Sequence, residues 1–202
     1  MYMKSAQEKP IKKENLLDAD FELMMAKGYV ATSVDEICLK AGTTKGSFFH
    51  YFESKEDLAK ALLTRQCSSH QKTKDELFGK DPYKRVFGQV DMAIEMSKNY
   101  KGSVGCIKGM LAHELSDTHP EIRQICSTLF ENMAKDFAND LKEAKAKFGG
   151  SYDPHSLAEH YIAIVQGAFI LAKIQGNNKA VIGSLEHFKK YLQQNLQLAQ
   201  KF

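Results

Sequence analysis

The sequence predicts an all-helical protein, and three observations support this. Apolar residues recur at intervals close to 3.6 along most of the 202 residues, which is the spacing of one face of an α-helix. Prolines stand only at positions 10, 82, 120 and 154, and each of the last three is placed where a helix can begin, because proline fits the first turn. No segment shows the alternation of paired strands.

Bulk composition is that of an ordinary globular protein and does not indicate a polyanionic partner by itself. The chain is 43% hydrophobic and 26% charged, its net charge is +3, and charges balance within residues 1–65. The start lacks the apolar segment of a signal peptide, and no window approaches the length of a membrane span. Four scattered cysteines without a CxxC motif fit a reduced compartment. We expect a cytoplasmic protein without a membrane partner.

The first two helices are predicted by apolar spacing and by end signals. One apolar face is formed by Leu16, Leu17, Phe21 and Met24. This helix is expected to stop at Gly28, a residue typical of helix ends. Ser33 and Glu36 form a capping box that begins a second, short helix, and Gly42 ends it.

The remainder of the chain continues as helices. A further helix is expected to begin near Ser54, where an aspartate three residues later takes the place of the glutamate in a capping box. Gly149-Gly150 predicts a break before the last two helices. Beyond residue 80, helices are expected over about 83–100, 106–116, 120–148, 155–176 and 179–200.

Residues 42–55, GTTKGSFFHYFESK, predict the turn and second helix of a helix-turn-helix. In such a unit the second helix lies in the major groove of DNA. Phe48 and Phe52, four residues apart, are expected in the core. The N-terminal end of the helix, where free amides and the helix dipole favour phosphate, presents Thr43, Thr44, Lys45, Gly46 and Ser47. Partly outward contacts to bases and phosphates are expected from Phe49, His50 and Tyr51.

Residues 16–58 resemble the DNA-binding domain of the TetR family of bacterial transcriptional regulators. The resemblance rests on Gly28-Tyr29, Thr32-Ser33, Ile37, Ala41-Gly42, Lys45-Gly46, Tyr51-Phe52 and Ser54-Lys55. It implies a three-helix DNA-binding domain over residues 1–55 and a larger helical domain over residues 56–202 for dimerisation and ligand binding. It also implies that Lys55 meets a phosphate, within a DNA-facing set of Thr32, Ser33, Thr43, Thr44, Lys45, Ser47, Phe49, His50, Tyr51 and Lys55.

Two positions depart from the family pattern. Position 49 is usually tyrosine, and Phe49 has no hydroxyl to donate to phosphate, so its expected role shifts to apolar contact. Position 20 is usually alanine, and Asp20 puts a carboxylate beside the apolar face of the first helix. That carboxylate needs a partner or water.

The sequence says less about effector recognition than about the fold or DNA binding. The stretch GCIKGMLAHELSD resembles a regulatory helix of TetR regulators that respond to electrophiles and oxidants, so Cys106 is either a reactive thiol or a plain buried cysteine. In HELSDTH the spacing is not that of HExxH, and a solvated or capping role is favoured over a metal site. Core or effector-pocket positions are expected at Cys106, Met110, His113, Phe130, Phe137, Tyr161 and Phe169.

The last two helices predict a homodimer. The first of them is apolar on nearly all sides, and such a helix must be covered on more than one side. A four-helix interface between two subunits would cover it, and the family resemblance implies the same. The expected interface residues are Tyr161, Val165, Ala168, Phe169, Leu185, Phe188 and Leu192.

These features predict a homodimeric transcriptional regulator that binds double-stranded DNA. The favoured form is a repressor released from a palindromic operator by a small-molecule or electrophile effector. An architectural DNA-associated protein of the same fold with no inducer is the alternative. No catalytic constellation, cofactor motif or metal cluster is recognisable in the sequence, so we do not expect an enzyme.

Overall fold

The structure, a computed structural model, describes the backbone of residues 8–100 and 105–196, and the side chains of residues 12–65, 76–100 and 105–196. Within these ranges the chain is helical and contains no strand, as predicted. The predicted last turn at 197–200, the glycine-containing stretch 102–104 and the Cys67 side chain lie outside the described residues. The helices are α1 (Glu8–Lys27), α2 (Val34–Lys40), α3 (Lys45–Tyr51), α4 (Lys55–Phe78), α5 (Pro82–Asn99), α6 (Ile107–Leu115), α7 (Pro120–Phe148), α8 (Pro154–Gln175) and α9 (Lys179–Asn195).

The chain forms two compact units whose division does not follow chain order. The first unit comprises Met1–Ser68 and Ile107–Cys126, and the second comprises Ser69–Cys106 and Ser127–Phe202. Helix α6 therefore belongs with the N-terminal helices, although it follows α5 in the sequence. A domain boundary after residue 55 remains a prediction from the family resemblance.

The first unit has a core shared by α1, α2, α3, α4 and α6. Phe48 of α3 is fully buried and Phe52 is 2% exposed, so both are core residues, as predicted from their spacing. Cys38 is also buried, and burial raises the pKa of its thiol. A protonated, buried thiol behaves as a small apolar side chain, which confirms the core position predicted for Cys38.

The second unit has its own core, built by α5, α7, α8 and α9. Four residues predicted at the dimer interface belong to this core and are at most 3% exposed in the single chain: Ala168, Leu185, Phe188 and Leu192. Three others pack against the same core: Tyr161, Val165 and Phe169. In the single chain these four residues are covered, Leu185, Phe188 and Leu192 on α9 and Ala168 on α8, and their assignment to a dimer interface stays a prediction.

Helix α8 is the one segment of the described chain that is long and apolar enough to cross a membrane, judged by length and composition alone. This differs from the expectation that no window approaches that length. A single such helix is weak evidence for a membrane span, because a helix in the core of a soluble protein meets the same criterion. In this chain α8 packs against α9.

Candidate nucleic-acid interface

The helix-turn-helix is built by two capped helices and a glycine turn. The Ser33 hydroxyl accepts a hydrogen bond from the Glu36 amide, and the Glu36 carboxylate accepts one from the Ser33 amide, which confirms the predicted capping box. Gly42 adopts φ of +63°, a conformation that favours glycine, and this lets the chain turn after α2. The Thr44 hydroxyl then accepts a hydrogen bond from the Ser47 amide and caps the start of α3.

Helix α3 presents an exposed surface around its buried anchor, Phe48. The Phe49 ring is 57% exposed and makes an edge contact with the Phe48 ring at 5.1 Å between centroids. Most of the predicted DNA-facing residues belong to α3 or the turn before it, exposed at Thr44, Lys45, Gly46, Phe49 and His50, and half-buried at Thr43, Ser47 and Tyr51; Ser33, at the start of α2, is also exposed. The helix thus offers a cation, hydroxyl groups and an aromatic ring to a ligand.

Two residues predicted to face DNA are turned inward. Thr32 is 1% exposed, and its hydroxyl donates a hydrogen bond to the Gly28 carbonyl oxygen at 2.7 Å. The Lys55 ammonium donates to the carbonyl oxygens of Tyr29 and Thr32 at 2.9 and 2.7 Å, and lies 4.0 Å from the centroid of the Tyr29 ring. Both side chains bond to the loop between α1 and α2, and a direct contact of either with DNA stays a prediction.

Carboxylates accompany the exposed lysines of this unit. The nitrogen–oxygen distance is 2.5 Å between Lys27 and Glu36, and 2.7 Å between Lys40 and Glu22. The Lys27 ammonium, together with hydrogen bonds from Ser33, lowers the pKa of Glu36 to about 2. A third pair joins the Nζ of Lys45 to Asp35, again at 2.7 Å. Each of these three lysines thus lies beside a carboxylate, in line with the balance of charges along residues 1–65.

Helix α6 contacts the loop between α1 and α2, a link that the sequence analysis did not predict. The Glu114 carboxylate accepts a hydrogen bond from the Val30 amide at 3.0 Å and lies against the Cα of Gly28. Just after α6, the His119 ring makes an edge contact with the Tyr29 ring at 5.8 Å. In HELSDTH, therefore, the glutamate and the second histidine are half-buried and make contacts within the chain. No pattern within α6 itself identifies a partner 84 residues away.

Asp20 is a buried carboxylate with an unusual environment. Its side chain is fully buried, and neither carboxylate oxygen has a hydrogen-bond partner among the described residues. Burial raises the pKa of Asp20 from 3.8 to about 7, and the positive charges of Lys55 and Arg65 oppose part of that rise. Lys55 and Arg65 thus act on Asp20 through their charge only, and neither is a hydrogen-bond partner of its carboxylate.

The residues predicted for effector recognition are divided between the two compact units. Met110 and His113 belong to the first unit, whereas Cys106, Phe130, Phe137, Tyr161 and Phe169 belong to the second. Within the second unit the rings of Phe137 and Tyr161 lie 4.8 Å apart, and burial raises the pKa of Tyr161 to about 12. Cys106 is half-buried. In the described part of the chain no three His, Cys, Asp or Glu side chains are grouped to hold a metal ion.

The architecture defines a helix-turn-helix DNA-binding protein with an additional helical unit, and comparison with known proteins gives the family. Residues 16–62 match the family described as "Bacterial regulatory proteins, tetR family", and residues 82–199 match "Tetracyclin repressor-like, C-terminal domain". The chain belongs to the TetR family of transcriptional regulators. Members of this family regulate transcription and are not enzymes.

Individual relatives support this assignment over most of the chain. The transcriptional regulator AcuR of Cereibacter sphaeroides is 29% identical, over 80% of this chain and 76% of that protein. The transcriptional repressor DhaR of a Mycobacterium species is 27% identical, over 83% of this chain and 85% of that protein. The crystal structure of a regulatory protein TetR from Rhodobacter sphaeroides has a TM-score of 0.79 and 28% identity, and the match covers 88% of this chain and 97% of that one.

Proposed function

We propose that this chain is a homodimeric repressor that binds a palindromic operator in the bacterial cytoplasm and is released from it by an effector. The observation that supports DNA binding most directly is the exposed start of α3, where Lys45, Gly46 and Phe49 surround a buried aromatic anchor. A helix of this kind enters the major groove, and its first residues reach the base edges and phosphates. The repressor DhaR, a relative of this chain, supports repression over activation.

A homodimer is supported by an apolar face that the chain leaves uncovered on α8. Ile170, Leu171 and Ile174 are between 48 and 76% exposed. A β-carbon added at Gly167 or Gly183 would meet no atom within 4 Å in the described chain, so these glycines leave room for the close approach of another helix. We therefore assign the interface to this outward face, in place of the buried residues predicted from the sequence. Two-fold symmetry then presents two copies of α3 to an inverted repeat.

Release by an effector is supported by the position of α6. Glu114 ties this helix to the loop that precedes α2, so a displacement of α6 would move the start of the helix-turn-helix. An effector needs only a few kcal/mol of differential affinity for the two conformations to change DNA occupancy. Cys106 and Tyr161 remain the leading effector contacts: the first as a partly accessible thiol, the second as a hydroxyl within an aromatic cluster.

Selection of binding sites from a randomised DNA pool, followed by footprinting, tests the proposal. We expect the wild-type protein to select and protect an inverted repeat. Lys45→Glu should weaken binding to that repeat at least about tenfold, because it places a negative charge against phosphate. Lys84→Glu makes the same charge change at an exposed site in the second unit and should have little effect. Failure to select any repeat, or equal binding by the Lys45 variant, would contradict the proposal.

A further inference from the structure

One ion pair lies on the surface proposed to meet DNA. The Nζ of Lys45 is 2.7 Å from Oδ1 of Asp35, and the two side chains are 61 and 65% exposed. Asp35 stands in the first turn of α2 and Lys45 in the first turn of α3. The pair therefore links the starts of the two helices. A ligand that approaches the Lys45 ammonium also meets the Asp35 carboxylate.

Helix or domain stability does not account for this carboxylate. An ion pair between two well-exposed side chains adds little to the stability of a fold. The start of α2 is already capped by the reciprocal hydrogen bonds of Ser33 and Glu36, and Glu36 already places a negative charge in its first turn. Asp35 is thus a second negative charge at a helix start that is already capped and already has one.

Near DNA the same carboxylate is unfavourable in most contexts. It repels phosphate oxygens, and it competes with them for the Lys45 ammonium. The base edges in the major groove present mainly acceptors, which also repel a carboxylate. The exceptions are the amino groups N4 of cytosine and N6 of adenine, which donate hydrogen bonds.

We propose that Asp35 is a specificity-determining residue, which weakens binding to DNA in general and is best tolerated where a base pair offers an amino group in the major groove. This inference rests on the proposed DNA-binding function. A lysine held by Asp35 is less free to capture phosphates of any sequence. Specificity is then increased by a penalty on the wrong duplexes in addition to the contacts with the right one.

The test compares two duplexes of equal length, one selected from a randomised pool by the wild-type protein and one of random sequence. For Asp35→Asn we expect affinity for the random duplex to rise about five- to tenfold near 0.15 M salt, with a salt dependence steeper by about one phosphate contact. Affinity for the selected duplex should rise less. A second selection with this variant should lose the base preference at one position of each half-site.

Glu22→Gln is the matched control, because it removes an equally exposed carboxylate from an ion pair of the same length, with Lys40, in the same unit. Circular dichroism checks that the helices of each variant are intact. Equal gains on both duplexes, an equal effect of Glu22→Gln, or an unchanged selected sequence would overturn the role of Asp35. If the wild-type protein itself selects no sequence, the proposed DNA-binding function is contradicted. The outcomes above contradict only the role of Asp35, so the two results are distinguishable.

Discussion

Single residues in the first unit show how burial changes the role that a side chain has. Lys55 resembles a phosphate-binding residue by its place in the family pattern, yet its ammonium is bonded to the carbonyl oxygens of Tyr29 and Thr32. Burial lowers the pKa of Lys55, and the negative charges of Asp20 and Glu114 oppose that change. The Lys55 side chain therefore acts as an internal support for the loop before α2.

Asp20 gives a pH dependence that can be predicted with its sign. Its folded-state pKa of about 7 is above the unfolded value of 3.8, so the folded protein holds this proton more tightly. Its contribution to stability is therefore fully present below about pH 4 and is lost as the pH rises to about 7. Replacing Asp20 with alanine should remove this loss. We therefore compare the free energies of unfolding of the variant and the wild type. Their difference, variant minus wild type, should increase by about 2–3 kcal/mol from pH 5 to pH 8.

Urea unfolding of both proteins at pH 5, 6.5 and 8 measures this difference. Glu22→Gln, which alters an exposed carboxylate on the same helix, should give a difference that changes little with pH. A constant difference between the Asp20 variant and the wild type across this range would show that Asp20 is not the buried titrating group.

At the scale of elements, α6 packs in a different part of the protein from the one that its position in the sequence suggests. It lies within the chain segment that matches the C-terminal family domain, 82–199, yet it belongs to the compact unit that contains the helix-turn-helix. The Glu114 carboxylate lies close to Gly28, where a β-carbon would be 2.3 Å from Oε1, and the φ of +88° at Gly28 favours glycine. The Lys60 ammonium of α4 also bonds to Glu121 of α7 within the same unit. The Glu114 contacts thus connect α6 to the loop before α2.

Removing the Glu114 carboxylate should therefore loosen this loop. In Glu114→Ala the Val30 amide loses its acceptor, and we expect its hydrogen exchange, followed by NMR, to accelerate about tenfold, which corresponds to about 1.4 kcal/mol. Glu114→Gln retains a side-chain oxygen and should stay close to the wild type. Val30 exchange that is equally fast in the wild type would contradict the link between α6 and the loop.

At the scale of the whole molecule, the exposed face of α8 is the surface on which we expect a second copy of the chain to pack. Its leucine and isoleucine side chains expose apolar area that a second copy of the chain would remove from water. The face contains glycine as well as large residues, which allows two helices to approach closely.

Ile170→Glu and Ile174→Glu should convert the dimer into a monomer with unchanged helical content, since both side chains are mainly exposed in the single chain. Light scattering coupled to size-exclusion chromatography gives the mass directly. Met96→Glu, at an α5 residue that is 61% exposed, is the control and should remain dimeric. A wild-type protein of one chain mass would contradict the homodimer, and monomeric variants should also lose cooperative binding to the inverted repeat.

Local patterns in the sequence predict helices, caps and the anchored start of α3 closely. The expected helix over residues 120–148 is observed as Pro120–Phe148, and the one over 155–176 as Pro154–Gln175. Capping, apolar periodicity and turn glycines act over a few residues, so a single segment contains the whole signal. The same holds for Phe48 and Phe52, whose spacing alone placed them in the core.

What only the tertiary structure decided is which of several possible partners each side chain meets. An apolar stripe on α9 can face the chain's own core or a second subunit, and the sequence cannot tell them apart because both require the same spacing. Glu114 bonds to an amide 84 residues away, and Lys55 bonds to carbonyl groups more than 20 residues away. Local sequence determined the helices and the surface of α3, whereas packing of distant segments determined the loop contacts, the buried state of Asp20 and the uncovered face of α8.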